Sequence, residues 1–174
     1  MAKLRKGVSY RSWKRPYTRK SKYRKKNFVR ASPHNLIVRY DMGDLQKKFE
    51  YKLEIKSKSA LQIRHNALEA ARKSGNRVLE KKTGKVGFML KLRVYPHHIL
   101  RENPLASGAG ADRMSTGMAH PFGKPIGLAA QIHKNQTIFD IHVDKNNLPA
   151  AKEAAKRIQS KIPCPCQFVI TKSE

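Results

Sequence analysis

The chain has 174 residues, with 38 Lys and Arg against 12 Asp and Glu, a formal net charge of +26. A free protein so charged repels itself, whereas a nucleic acid that neutralises it releases condensed counterions, so the composition points to a polyanionic partner. No run of 18 apolar residues spans a bilayer and the basic N-terminus lacks the apolar stretch of a secretory signal, so a cytoplasmic protein without membrane contact is expected.

Residues 1 to 40 hold 14 of the cations and no acid. The chain therefore reads as a basic arm, 1–35, followed by one body, 36–174, long enough for a single core. Through Arg30 the arm interleaves its cations with Tyr10, Trp13, Tyr17, Tyr23 and Phe28. Ordering each residue costs about 1 to 2 kcal/mol of backbone entropy, which five aromatics cannot offset, so its order is expected to come from a partner. Rings set among cations suit RNA, whose exposed bases stack on them while its phosphates meet the charges. The candidate RNA-binding residues are Lys3, Arg5, Lys6, Tyr10, Arg11, Trp13, Lys14, Arg15, Tyr17, Arg19 and Lys20, continuing through Lys22, Tyr23, Arg24, Lys25 and Lys26.

In the body, Leu36, Ile37 and Val38 predict a short strand and Met42 to Asp44 a turn. Phe49, Tyr51, Leu53 and Ile55 alternate with charged residues, as in a strand with one wet face. Ser59 offers an N-cap, and Ala60, Ile63, Ala67, Ala71 and Val78 recur at helical spacing, predicting a helix to about Lys82 with Gly84 as its left-handed cap. Gly75 within it suggests close packing on a sheet. Phe88, Leu90, Leu92 and Val94 predict another strand, which His98 to Arg101 would extend past Pro96. Ile126, Leu128, Ala130 and Ile132 lead to a turn at Lys134 to Gln136, and Phe139, Ile141 and Val143 alternate back, as in a hairpin. Asn147 and Pro149 open a second helix with Leu148, Ala151, Ala155, Ile158 and Ile162 on one stripe, stopped by Pro163. Cys166, Phe168 and Ile170 form a last strand. This order gives an α+β fold, a mostly antiparallel sheet with two helices packed on one side.

Residues 103–127 contain five of the ten glycines and no periodic apolar pattern. A loop of that length is usually functional or disordered, and Asp112, Arg113, Met114 and Met118 weigh against a mere connector. Gly108 and Gly110 lack the third glycine of a dinucleotide fingerprint, and no phosphate-binding P-loop motif occurs. Cys164 and Cys166 are too close for an unstrained disulfide and lack a second ligand pair for zinc, so they read as free thiols. The histidines His34, His65, His97, His98, His120, His133 and His142 form no metal pattern and read as surface or RNA-facing. No serine lies in a nucleophile-elbow motif, so no catalytic residue, metal or cofactor is expected. An RNA-modifying enzyme with a basic tail would need a cofactor pocket and a positioned acid, base or nucleophile, and a DNA-compacting protein would not need the aromatic arm.

The block Ser107, Gly108, Ala109, Gly110, Ala111, Asp112, Arg113, Met114, Ser115, Thr116, Gly117 and Met118, followed by Phe122-Gly-Lys-Pro125 and Gly127, is highly specific. With Ala67-Leu-Glu-Ala-Ala-Arg72, Tyr95-Pro-His-His-Ile-Leu-Arg101 and Arg15-Pro-Tyr17, it resembles the universal large-subunit ribosomal protein family called L-sixteen in bacteria and L-ten-e in archaea and eukaryotes. The resemblance implies a hammerhead-type α/β domain on large-subunit rRNA, with tRNA and neighbouring ribosomal proteins as further partners. It also implies that Ser107 to Met118 reach toward the peptidyl transferase centre and the tRNA acceptor arm, with peptide-bond chemistry left to RNA. A chain stopping at Glu174, short of the eukaryotic C-terminal extension, points to the archaeal branch, while the arm departs from eukaryotic relatives in having no cysteines.

Overall fold

The computed structural model describes residues 5–13, 15–18, 29, 32–105, 115 and 117–172. Its strands and α-helices run β1 (Asp41–Gly43), β2 (Tyr51–Ser57), β3 (Leu61–Arg64), α1 (His65–Thr83), β4 (Phe88–Leu92), β5 (His98–Glu102), β6 (Lys124–Ile132), β7 (Thr137–Val143), α2 (Leu148–Gln159) and β8 (Cys166–Lys172). The class is α+β and the strand pairs are antiparallel. The strands part into a five-stranded sheet, ordered β1-β4-β7-β2-β8, and a three-stranded sheet, ordered β3-β6-β5.

Period-two alternation builds the larger sheet. Leu53, Ile55, Phe88, Leu90, Phe139 and Ile141 share its inner face and are essentially fully buried. Onto them α1 lays Leu68, Ala71 and Leu79, and α2 lays Ala151, Ala154, Ala155 and Ile158. α1 ends at Thr83, and Gly84 caps it by its N–H donating to Glu80 O; at φ 73 and ψ 179 the glycine has the positive φ expected but is extended rather than left-handed helical. The close approach at Gly75 is between helices more than onto the sheet: a Cβ there would lie 2.6 Å from Ile158, against 3.8 Å from Leu90.

Several local expectations are corrected. Residues 36–38 form no strand, because Leu36 and Val38 are exposed and only Ile37 is buried. Met42 instead pairs with Leu90 in β1, where a turn was expected, and Gly43 takes φ 85 because a Cβ would meet Phe88 O at 2.1 Å. α1 starts at His65, since Leu61, Gln62 and Ile63 are all buried in a strand paired with β6, and that pairing overrides the cap offered by Ser59. His98 to Glu102 do not extend β4; they form β5 in the other sheet. The predicted hairpin of β6 and β7 does not form either. The chain passes between the sheets there, turning at Asn135 with φ 64. Asn135 N–H donates to Ser57 O at 2.7 Å and Ser57 N–H to Gln136 O at 3.0 Å, so this crossing is bonded to the one between β2 and β3. Residues 124–127, read as loop, begin β6. α2 ends at Gln159, and Ile162 packs on the core from beyond it. Cys164 and Cys166 are free and buried, with Cys164 Sγ 3.5 Å from Ser57 Oγ.

Candidate nucleic-acid interface

The small sheet receives the arm. Gly7–Tyr10 form one 3-10 turn, and the backbone beyond it is caught by β3: Gln62 N–H donates to Arg11 O at 3.2 Å and Gln62 Nε2 to Tyr10 O at 2.9 Å. Gln62 is itself buried, with Gln131 Nε2 donating to its Oε1, so a polar side chain inside the sheet is satisfied by holding the arm. Arg64 donates to Arg5 O at 2.9 Å and stacks over Tyr10, while Arg5 donates to Glu102 at 2.6 Å. Burial first, and the Glu102 carboxylate second, push the Tyr10 hydroxyl above the ordinary phenol range.

Further along, Tyr17 bridges arm and sheet. Its N–H donates to His98 Nδ1 at 2.9 Å and its carbonyl accepts from Ile99 N–H at 2.8 Å. Its ring packs on a second small core of Val29, Ile99 and Leu128. The Arg101 guanidinium lies over both the Tyr17 ring, at 4.2 Å, and the Phe122 ring, at 3.8 Å, which meet edge to face, and donates to Phe122 O. Phe122 stands in the long loop, so one cation ties the loop base to the arm. The loop is held again where Asn103 Nδ2 donates to Gly117 O at 3.2 Å and where Gly123, at φ 78, packs on the Glu102 backbone.

The described arm residues rest on the body through these contacts. Of the predicted RNA-binding residues, Arg5, Lys6, Arg11, Trp13 and Arg15 are exposed, while Tyr10 and Tyr17 are half-buried against the sheet. Trp13 leans on His133 with ring centroids 4.7 Å apart and keeps 42% of its surface in solvent. Lys3, Lys14, Arg19, Lys20, Lys22, Tyr23, Arg24, Lys25 and Lys26 lie outside the described residues, as do Ser107 to Met114 and Thr116. Of the loop block, Ser115 and Gly117 are partly buried, and Met118 is 67% exposed. His98, read as a surface residue, is buried because its imidazole accepts the Tyr17 amide. Sequence reasoning missed Gln62, His98 and Arg101 as the arm's anchors. His98 and Arg101 carried a signal, as members of one family-like stretch, and Gln62 carried none.

A basic arm docked on the small sheet with Lys6, Arg11 and Arg15 at the surface presents cations to a polyanion, as in a nucleic-acid-binding protein. The family model described as Ribosomal protein L16p/L10e matches residues 18–169, and the chain belongs to that family. It is a structural, non-enzymatic ribosomal protein whose partners are ribosomal RNA and other ribosomal proteins. Among curated relatives, Large ribosomal subunit protein uL16 of Methanococcus maripaludis strain C7 is 45% identical over 157 residues, covering 90% of this chain and 91% of the relative. The protein of the same name from Methanococcus aeolicus is 43% identical over 169 residues, covering 97% and 95%.

Proposed function

We propose that this chain is a structural constituent of the large ribosomal subunit, seated on large-subunit rRNA in the cytoplasm, with its 103–127 loop beside bound tRNA and no contact with a membrane. The observation that carries the reading is the docked arm. Its carbonyls and half its rings are engaged by the body, leaving Arg5, Lys6, Arg11 and Arg15 at the surface and Trp13 open for stacking. Pre-ordering of that kind lowers the entropic cost of binding. Arm (1–35) and body (36–174) then act together, with Lys3, Lys14, Arg19, Lys20, Lys22, Tyr23, Arg24, Lys25 and Lys26 extending the same RNA contacts. The relatives' name, a protein of the large subunit, supports the assignment.

The test is sedimentation of tagged protein with large subunits through a high-salt wash; retention is expected, and release into the supernatant sinks the proposal. The loop is tested separately, by replacing Gly108 to Gly117 with a short Gly/Ser linker in reconstituted subunits. Weaker tRNA binding or slower peptide-bond formation is expected with the protein still incorporated, and unchanged activity would return the loop to a connector.

A further inference from the structure

Away from the arm's contacts, the C-terminal part of α1 and the facing side of α2 enclose a groove of about 700 Å³. Ala70, Ser74 and Val78 are the small and apolar residues of its lining. Lys73, Arg77 and Lys81 stand along one wall, four residues apart, so they share a face of α1 and step about 6 Å along its axis. Arg157 faces them from α2. Glu153 is the one carboxylate among the lining residues, and Lys82 already engages it. Among the described residues, Arg77, Lys81 and Arg157 have no carboxylate within ion-pair distance, while Lys73 shares Glu69 with Arg72 at 3.5 Å.

We infer that this groove is a second RNA-docking face, taking the sugar–phosphate backbone of one strand, so that the protein holds RNA at two separate places. This rests on the reading of the chain as an RNA-bound ribosomal component. A regular row of exposed cations along a straight axis matches a ligand whose negative charges repeat evenly along its length. Arg77 and Arg157, on opposite walls, have the planar fork that grips phosphate with two hydrogen bonds. An acidic polypeptide is the rival occupant, since Ala70, Val78 and the stems of the basic side chains leave the lining mostly apolar, but the even spacing of the cations along α1 favours the nucleic acid. Neither wall is needed by the core, since Lys73, Arg77, Lys81 and Arg157 are all exposed.

The experiment measures binding of the full-length protein to a large-subunit rRNA transcript across a salt series. Four proteins are compared: wild type, the groove variant Arg77→Gln/Lys81→Gln/Arg157→Gln, an arm variant Arg5→Gln/Lys6→Gln/Arg11→Gln/Arg15→Gln, and the charge-keeping groove variant Arg77→Lys/Lys81→Arg/Arg157→Lys. Each lost phosphate contact lowers the slope of log affinity against log salt by about 0.7 to 0.9, so the groove variant should lose about 2 to 3. Its affinity should fall at least about tenfold at physiological salt, additively with the arm variant, and the charge-keeping variant should retain most of the slope. A groove variant with an unchanged melting curve and an unchanged slope overturns the inference. So does loss of binding to a labelled polyglutamate peptide while the rRNA slope stands, which would assign the groove to an acidic protein. If wild type itself fails to bind the transcript, the proposed function falls first and the groove with it; a groove failure alone leaves arm binding intact.

Discussion

Arg72 is a charged side chain almost wholly removed from water, and Glu69, one turn earlier, makes that tolerable. Its Nε and Nη2 donate to the two carboxylate oxygens at 2.8 and 2.6 Å, and its Nη1 donates to Met42 Sδ at 3.1 Å. The Arg72 hydrogen bonds hold the Glu69 carboxyl below its usual range, overcoming the burial that raises it. Because the folded value is depressed, the pair's stabilisation is complete above the ordinary Glu value of about 4.3 and is lost as pH falls through the lower, folded value. Arg72→Ala leaves the buried Glu69 carboxylate with Lys73 at 3.5 Å and the Val38 amide, so denaturant unfolding at pH 7 should show a loss of about 1 to 3 kcal/mol. That deficit should narrow on acidification, and a deficit constant down to pH 3 would contradict the electrostatic account. Leu68→Ala and Phe88→Ala, both at the centre of the core, should cost about 2 to 5 and 3 to 5 kcal/mol without touching RNA affinity per folded molecule. Binding lost at an unchanged melting temperature would show either residue to be misplaced in that account. Leu68 and Phe88 were legible as core from periodicity; the Glu69–Arg72 pair was not, because nothing local marks a charge on α1 as buried.

Between elements, the α1–α2 contact is set by one missing side chain. Gly75 lets Ile158 press against the α1 backbone. Gly75→Ala should raise the helix propensity by about 1 kcal/mol and lose about 1 to 3 kcal/mol to overpacking, a net destabilisation. Trimming the neighbour, as Ile158→Val in the same chain, should recover part of it, and a double-mutant cycle that finds the two changes additive would remove Gly75 from the contact. Strand assignment in the sequence succeeded in β2, β4 and β8, where one face is wetter than the other over five residues or more and alternation survives, whereas three-residue β1 is too short to show it. It failed at β3, whose first three residues are all buried and whose short apolar run is indistinguishable from the start of a helix. The hairpin reading of β6 and β7 failed because alternation reports which face is buried, not which strand lies alongside.

At the scale of the molecule, the arm belongs to the fold as well as to the surface. Removing Met1 to Arg30 takes Tyr17 and Val29 from Ile99 and Leu128, so the truncated protein should lose about 1 to 3 kcal/mol while its five-stranded core persists. The same truncation removes 13 of the 38 cations and should flatten the salt dependence of rRNA binding. An unchanged salt slope, or a collapsed circular dichroism spectrum, would contradict one half or the other. The arm's chemistry was legible from its composition; its seat was not, because it is held through backbone carbonyls that any sequence possesses. The topology also sets an order of events. Tyr51 in β2 pairs with Lys172 at one edge and with Val143 at the other, and each sheet is stitched to its neighbour where Ser57 meets Asn135 and Gln136. Contacts so distant in sequence must close long loops before they return any energy, which makes folding slow. During synthesis β2 therefore waits, unpaired on both edges, until nearly the whole chain has emerged, and through that interval a highly basic polypeptide with open strand edges is exposed to every anion around it.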